Sequence, residues 1–180
     1  MRKSCPIEEC QALVESFYSS CDKGNQLLKH FPTRPVISCQ DCAKTAPDTD
    51  STVRAALFDS YPLGIILCCD RMKISDIEEA LVHELVHAYD YSKNRCDFST
   101  CTGLAFSEVR AAREAECSSS YYPFQFMRDI CIRDTAIRST SSRFSKSEAK
   151  VCVDSVFSKA MRDLEPFSPE VKVKNAKTEK

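Results

Sequence analysis

Residues 83–87 read HELVH, which is the H-E-x-x-H pattern of zinc peptidases. Residues four apart share one face of a helix, so His83 and His87 can both present an imidazole to one metal ion. Zinc lowers the pKa of a bound water toward about 7, and Glu84 is placed to take the proton of that water. The pattern therefore predicts zinc as the cofactor, the two histidines as ligands and Glu84 as the catalytic base.

The residues around this motif predict a helix that starts near Ser75 and runs to about Tyr91. Ser75, followed three residues later by Glu78, is typical of a capping box at a helix N-terminus. Apolar residues then recur at helical spacing and can form a buried stripe: Ile77, Ala80, Leu81, Leu85, Ala88 and Tyr89. The alternative is an ordinary amphipathic helix with two surface histidines, which we disfavour because the chain has only 3 histidines.

The third zinc ligand has to be something other than histidine, because the remaining histidine, His30, lies far upstream and is expected at the surface. A catalytic zinc needs three protein ligands, so the third is a carboxylate or a thiolate. Glu108, within the second predicted helix FSEVRAAREAEC, is the first choice, and Asp90 is the alternative. Asp90 lies one turn beyond His87, where it can instead orient that ring. We favour this orienting role, since three ligands from one straight helix rarely converge tetrahedrally.

Two arginines follow Glu108 on its predicted helix. Arg110 or Arg113 can stabilise the oxyanion that forms during peptide hydrolysis. A salt bridge to Glu114 or Glu116 is the favoured interpretation of both, because opposite charges at such spacing commonly pair on a helix.

Length and charge narrow the class of protein. A chain of 180 residues is long enough for one compact domain, which we expect over residues 1–167, with a cysteine-containing helical segment over 1–38 and a polar, disordered tail over 168–180. A formal net charge of −1 gives no global field for binding nucleic acid. No apolar run reaches the roughly 18 residues of a transmembrane helix. The N-terminal sequence MRKSCPIEEC predicts no cleaved secretory signal.

The chain contains 12 cysteines spread over most of its length. This distribution predicts a disulfide framework formed in an oxidising compartment. A structural zinc site is the alternative, but the C-x-x-C of Cys39 and Cys42 has no second C-x-x-C to complete it. Adjacent Cys68 and Cys69 are not expected to pair with each other. An oxidised chain without a secretory signal is typical of the mitochondrial intermembrane space.

The remaining patterns predict an α+β fold that is rich in disulfides. We expect helices near the N-terminus and over 124–138 and 146–164, and strands over 53–58 and 64–68. The strand over 64–68 is either a plain core strand or the edge of a cleft that binds an extended substrate as a further strand. In the zincin-like arrangement that we expect, the motif helix and the second ligand-bearing helix pack under a small sheet.

Several segments resemble, in the same order, one family of mitochondrial inner-membrane metallopeptidases. The segments run from about Cys39 to Phe167 and read ILCCDRM, EEALVHELVHAYD, SEVRAAREAEC, CIRDTA, CVDSVF and EPF. Members of this family mature the precursor of ATP synthase subunit 6. The resemblance implies that His83, His87 and Glu108 bind zinc and that Glu84 is the catalytic base.

The resemblance also implies a cellular compartment, a substrate and partners for such a chain. It implies a zinc endopeptidase of the intermembrane space, peripheral on the inner membrane, that cleaves the subunit 6 precursor. It further implies contact with assembly intermediates of the ATP synthase membrane sector, in a role that does not need Glu84. The alternative function is therefore a non-proteolytic assembly chaperone with a peptidase-like fold. The cysteine content agrees with import by the oxidative machinery of that compartment, and no nucleic-acid partner is expected.

Overall fold

The computed structural model describes residues 5–45, 56–60, 63–118 and 121–167. The strands are β1 (Val36–Gln40), β2 (Ala56–Ser60) and β3 (Leu63–Cys68). The helices are α1 (Ile7–Ser20), α2 (Asp22–Leu28), α3 (Cys42–Thr45), α4 (Ile77–Ser92), α5 (Cys101–Glu114), α6 (Gln125–Thr140) and α7 (Lys146–Arg162). None of these helices combines the length and the apolar composition that crossing a bilayer requires.

These elements confirm the expected mixture of helices with a small sheet. Of the predicted strand over 53–58, residues 56–58 lie in β2, and residues 53–55 lie outside the described ranges. The predicted polar tail over 168–180 also lies outside them.

Within the described residues the sheet has three strands, and β3 is the central one. β1 pairs with β3 in parallel and β2 pairs with it antiparallel. Ile65 and Leu67 of β3 are fully buried, as a core strand requires. The idea that β3 accepts an extended substrate is therefore wrong, because neighbouring strands already occupy both of its hydrogen-bonding edges.

Helix α4 begins differently from the predicted capping box. A 3-10 turn over Ile74–Asp76 leads into α4, so Ser75 lies inside that turn and not at the N-cap position. Its hydroxyl donates to the Asp76 carboxylate at 2.7 Å, and the N-cap residue Asp76 makes no side-chain cap bond. The buried stripe does form: Ile77, Leu81, Leu85 and Ala88 are at most 1% exposed.

Helix α4 separates two groups of packed side chains. On one side lie the sheet, α1 and α2; on the other, α5 packs against α4, α6 and α7. The expectation that both ligand-bearing helices lie under the sheet therefore holds for α4 only. The reason is the apolar face of α5: Ala105, Val109 and Ala112 are fully buried against α6 and α7.

Four disulfides cross-link the chain, which confirms the expected framework. The pairs are Cys10–Cys39, Cys42–Cys68, Cys101–Cys152 and Cys117–Cys131. Cys68 and Cys69 do not pair with each other, as predicted. Cys39 and Cys42 belong to separate disulfides, so their C-x-x-C is a pair of cross-links and not a metal site. The other four cysteines are thiols.

Candidate metal centre

Helices α4 and α5 pack side by side and bring three of the predicted ligands to one point. His83, His87 and Glu108 are all buried, at 7 to 8% exposed. Oε2 of Glu108 lies 3.3 Å from Nε2 of His83 and 3.5 Å from Nε2 of His87. One ligand atom from each of the three residues lies within 4.8 Å of the others.

The carboxylate of Glu108 is the clearest sign that this point is a binding site. Its Oε2 atom is buried and makes no hydrogen bond of normal geometry with the described residues, so its charge is compensated by the two imidazoles beside it. Burial alone would raise the pKa of Glu108, but His87 and His83 hold that pKa below its usual range. The group therefore stays ionised and faces two imidazole nitrogens. One carboxylate oxygen and two imidazoles form a donor set that a divalent metal accepts, so these residues fit a metal ion.

The other nitrogen of each imidazole is held by a partner outside this group. Nδ1 of His83 lies 2.9 Å from Oε1 of Glu116. Nδ1 of His87 lies 2.7 Å from the hydroxyl of Ser107, which donates its own proton to Oδ2 of Asp90 at 2.9 Å. Because that hydroxyl proton is committed to Asp90, Ser107 accepts a hydrogen bond from Nδ1–H of His87. Both rings thus keep Nε2 for the metal, as metal-binding histidines usually do.

Charge around His83 couples metal binding to proton release. Burial alone would lower the pKa of His83, but Glu116 and Glu108 raise that pKa well above its usual value. Burial likewise acts to raise the pKa of Glu116, and His83 brings it below its usual range. A metal ion that binds Nε2 of His83 therefore competes with a proton for this ring.

A known protein family matches the part of the chain that contains α4 and α5. Residues 8–168 match the Peptidase M76 family, and this range includes α4, α5 and every residue of the candidate centre. The chain belongs to the Peptidase M76 family. This is a family of metallopeptidases, so the metal-binding geometry and the family assignment agree.

Relatives of this chain confirm the resemblance seen in the sequence, since they are named mitochondrial inner membrane protease ATP23 homolog. The chain is 34% identical to the relative from Danio rerio over 141 residues, 72% of this chain and 52% of that protein. It is 31% identical to the one from Xenopus laevis, over 72% of this chain and 57% of that protein. For the Homo sapiens relative, the identity is 29% over 87% of this chain and 74% of that protein. The chain spans only a little over half the length of the first two relatives. No solved structure matches the chain.

Asp90, the alternative third ligand, lies outside the three-residue group of this M76 chain. It is fully buried, and Arg110 binds both of its oxygens: Nη2 lies 3.1 Å from Oδ1 and Nε lies 3.2 Å from Oδ2. Since Asp90 also accepts the hydroxyl proton of Ser107, it acts on His87 through that serine. This placement is the one that an orienting residue requires.

The two arginines of α5 bind protein groups. Arg110 forms ion pairs with Asp90 and, at 2.7 Å, with Asp163. Arg113 pairs with Glu114 at 2.6 Å, which confirms the favoured salt bridge for this residue. For Arg110 the predicted partner was wrong, because its guanidinium points from α5 toward α4 and the end of α7. These pairings give both arginines a structural role.

Three other residues singled out in the sequence are Glu84, His30 and Tyr89. Glu84 is on α4, one residue after His83, and is 8% exposed. His30 is exposed, as expected, and its ring meets the edge of Tyr89 at a centroid distance of 5.3 Å. Tyr89 is buried in the core.

Two residues that hold the histidines were missed from the sequence. Ser107 directly precedes Glu108 in the SEVRAA segment, so the motif contained a signal for it. Glu116 lies beyond the end of α5, where Ala115 leaves helical geometry at φ −102° and ψ −101°. No periodic pattern extends past a helix end, so its contact with His83 could not be inferred.

Proposed function

We propose that this chain is a zinc endopeptidase in which His83, His87 and Glu108 bind zinc and Glu84 is the catalytic base. The observation that carries the proposal is the buried Oε2 of Glu108, without a hydrogen bond and 3.3 and 3.5 Å from two imidazole nitrogens. Atoms bound to one tetrahedral zinc at about 2.0–2.1 Å lie roughly 3.3 Å from one another. Both distances from the carboxylate oxygen therefore suit this ion.

The residues of the centre have distinct tasks in this proposal. Zinc, when bound, supplies the Lewis acidity that polarises a peptide carbonyl and acidifies a water molecule. Glu84 accepts the proton of the attacking water and delivers it to the leaving amine. Glu116 and Ser107 hold the two imidazoles in the orientation that ligation needs. We further propose that residues 1–167 act as one zincin-like domain with the centre between its two packed groups.

We propose that the chain works in the mitochondrial intermembrane space, peripheral on the inner membrane. The names of its relatives support association with the inner membrane. The four disulfides support an oxidising compartment, which we propose the chain enters through the oxidative import machinery. As the resemblance implies, the proposed substrate is the precursor of ATP synthase subunit 6.

A second, non-proteolytic role is supported by the surface around the start of α6. Five large apolar side chains between residues 121 and 130 are 44 to 66% exposed: Tyr121, Phe124, Phe126, Met127 and Ile130. Phe126 and Ile130 are four residues apart and share a helix face. Because clustered apolar side chains on a surface usually mark an interaction site, we propose that this face assists assembly of the ATP synthase membrane sector by holding its apolar segments.

Metal removal tests the catalytic proposal directly. The purified chain is expected to hold one zinc ion, to lose peptidase activity in a chelator, and to regain it with stoichiometric zinc. Magnesium should not restore activity, since it prefers oxygen ligands. Metal content by mass spectrometry and cleavage of an unstructured reporter peptide measure both quantities. Reducing agents are left out, because they would open the disulfides and create competing thiolate ligands.

The control for metal removal is the same chelator saturated with zinc beforehand, which should leave activity unchanged. Full activity in a metal-free preparation would contradict the proposal. So would a tightly bound zinc ion that chelation removes with no loss of activity.

Replacing Glu116 by glutamine is expected to weaken zinc binding by about tenfold. Loss of an outer partner of a metal-binding histidine typically costs about 10- to 100-fold in affinity. We expect the lower end, because Glu116 also raises the pKa of His83 and its removal weakens the competing proton. Competition titration with a zinc indicator measures the affinity, and NMR titration of the metal-free chain should show a lower pKa for His83. Glu15→Gln, on the exposed face of α1, is the matched control. Unchanged affinity and an unchanged pKa would show that Glu116 does not hold the ring.

A further inference from the structure

Two arginines of α5 hold the end of α7. Arg113 donates to the carbonyls of Ala160 and Asp163 at 2.7 and 2.9 Å. Arg110 donates to the carbonyl of Asp163 at 2.9 Å and also to that of Glu165. The last carbonyls of a helix have no partner within the helix, and cationic side chains commonly satisfy them. The guanidinium of Arg110 is therefore fixed by the end of α7 on one side.

The other side of the Arg110 guanidinium faces the metal centre. Its Nη2 and Nε lie 3.1 and 3.2 Å from the two oxygens of Asp90. Asp90 accepts the hydroxyl proton of Ser107 at 2.9 Å, and that hydroxyl lies 2.7 Å from Nδ1 of His87. A continuous series of polar contacts thus leads from the residue that follows α7, Asp163, to a proposed zinc ligand.

Asp163 belongs to a closed ring of four charged groups, in which acids and arginines alternate. Its Oδ1 lies 2.7 Å from Nη1 of Arg110, and its Oδ2 lies 2.5 Å from Nη2 of Arg95. Nε of Arg95 lies 3.6 Å from Oδ1 of Asp90, which closes the ring. The four side chains are between 0 and 21% exposed, so solvent screens their attraction only weakly. Burial acts to raise the pKa of Asp163, but Arg95 and Arg110 bring that pKa below its usual range, so the group is ionised at neutral pH.

We propose that Asp163 is a positioning residue of the metal centre, which sets the orientation of the His87 ring through Arg110. The carboxylate of Asp163 shares both guanidiniums of the ring with Asp90. Asp90 therefore keeps Oδ2 directed at Ser107, and the hydroxyl of Ser107 keeps its lone pair directed at Nδ1 of His87. The inference rests on the proposed role of His87 as a zinc ligand, and it adds the segment after α7 to the parts of the chain that shape the centre.

Loss of the charge at position 163 should act on the histidine by way of Asp90. With that charge removed, Asp90 is the one carboxylate left in the ring, and both Arg95 and Arg110 are drawn to it. Its oxygens then shift toward Arg95 and away from the hydroxyl of Ser107. Nδ1 of His87 loses a well-directed acceptor, and Nε2 is less often turned toward the metal.

Asp163→Asn is expected to lower the zinc affinity of the full chain by about three- to tenfold, less than the about 10- to 100-fold typical for a direct partner of a metal-binding histidine. Asparagine keeps the size of the side chain and an oxygen that can accept from Arg110, so the chain should fold. Competition titration with a zinc indicator measures the affinity, and urea unfolding measures stability. Nitrogen-15 NMR of the zinc-loaded chain should show a shifted resonance for Nδ1 of His87.

A double-mutant cycle with Ser107→Ala separates positioning from a purely structural role. Ser107→Ala removes the link between Asp90 and His87 and should lower zinc affinity by about tenfold or more. Adding Asp163→Asn to Ser107→Ala should then change zinc affinity by less than about twofold, because coupled positions are not additive. The free energy of unfolding should still fall, since the ring of charges is broken in either background.

Asp154→Asn is the matched control, since Asp154 lies on α7 and pairs with Arg133 and Lys150 at the surface, at 2.6 and 2.9 Å. It should leave zinc affinity unchanged. The proposal is overturned if Asp163→Asn loses stability but keeps the zinc affinity of the parent. It is also overturned if the loss of affinity is equally large in the Ser107→Ala background.

Asp163→Glu takes the place of Asp163→Asn in the cycle if the asparagine variant fails to fold. It keeps the charge but moves it by one methylene group, so it should weaken zinc binding in the parent and not in Ser107→Ala. Unchanged affinity in both backgrounds would overturn the proposal. A parent chain that binds no zinc at all would instead refute the zinc site itself, which separates the failure of the proposed function from the failure of this inference.

Discussion

Glu84→Gln is expected to abolish peptide hydrolysis while the chain still binds one zinc ion. The amide has nearly the shape of the carboxylate but cannot accept the proton of the attacking water, and loss of a general base typically lowers the rate by about 10²- to 10⁴-fold. His83, His87 and Glu108 are unchanged, so zinc affinity should stay within about threefold of the parent, less than the loss of even an outer partner costs. The measurements are kcat/KM on the reporter peptide and zinc content by mass spectrometry.

Glu78→Gln is the matched control for this variant, since Glu78 lies in the first turn of the same helix and is exposed. It should retain full activity. Hydrolysis that survives in zinc-loaded Glu84→Gln would remove Glu84 from the mechanism.

The Glu84→Gln substitution also separates the two proposed functions in cells. Processing of the subunit 6 precursor should stop, whereas assembly of the ATP synthase membrane sector should continue if the exposed face around α6 does the assisting. Loss of assembly together with processing would rule out a separate chaperone role. Continued processing would refute the peptidase proposal.

The parts of this fold that follow from sequence are those fixed by local spacing. The stripe on α4 predicted a buried helix, and its spacing put His83 and His87 on one face whatever the rest of the chain did. The disulfide framework followed from cysteine content. The pairs did not, because partners such as Cys101 and Cys152 meet only through the packing of α5 on α7.

Other features depend on long-range packing or on backbone geometry at the ends of elements. The position of β3 in the middle of the sheet arises from pairing with β1, more than 20 residues earlier, and no pattern within β3 reports that partner. The 3-10 turn displaced the start of α4, so a sequence match to a capping box was not a cap. The contact between Glu116 and His83 depends on how the chain turns after α5. The choice of Glu108 over Asp90 rests on tetrahedral geometry, which applies to any fold, and it stays a prediction.

Glu108→Gln is expected to weaken zinc binding by more than about 100-fold. Loss of a residue that only holds a metal-binding histidine typically costs about 10- to 100-fold, and loss of a ligand should cost more. Glutamine keeps the size of the side chain but removes the anionic oxygen that faces both Nε2 atoms. The fold should persist, because His83 keeps Glu116 as a charged partner. Equilibrium dialysis measures zinc, and urea unfolding in the metal-free state measures stability.

Asp90→Asn is the comparison that separates a ligand from an orienting residue. Asp90 pairs with buried Arg110, and breaking such a pair typically costs about 3–5 kcal/mol, an upper limit here because Asp163 also pairs with Arg110. The free energy of unfolding of this variant should therefore fall, while its zinc affinity should fall by at most about 100-fold. Alanine at position 90 is unsuitable, since a cavity beside an unpaired arginine could unfold the chain and mimic metal loss. If Asp90→Asn abolished zinc binding in a folded chain and Glu108→Gln did not, Asp90 would be the third ligand, and Glu108 would have to be a buried acid that serves only to pair the two histidines.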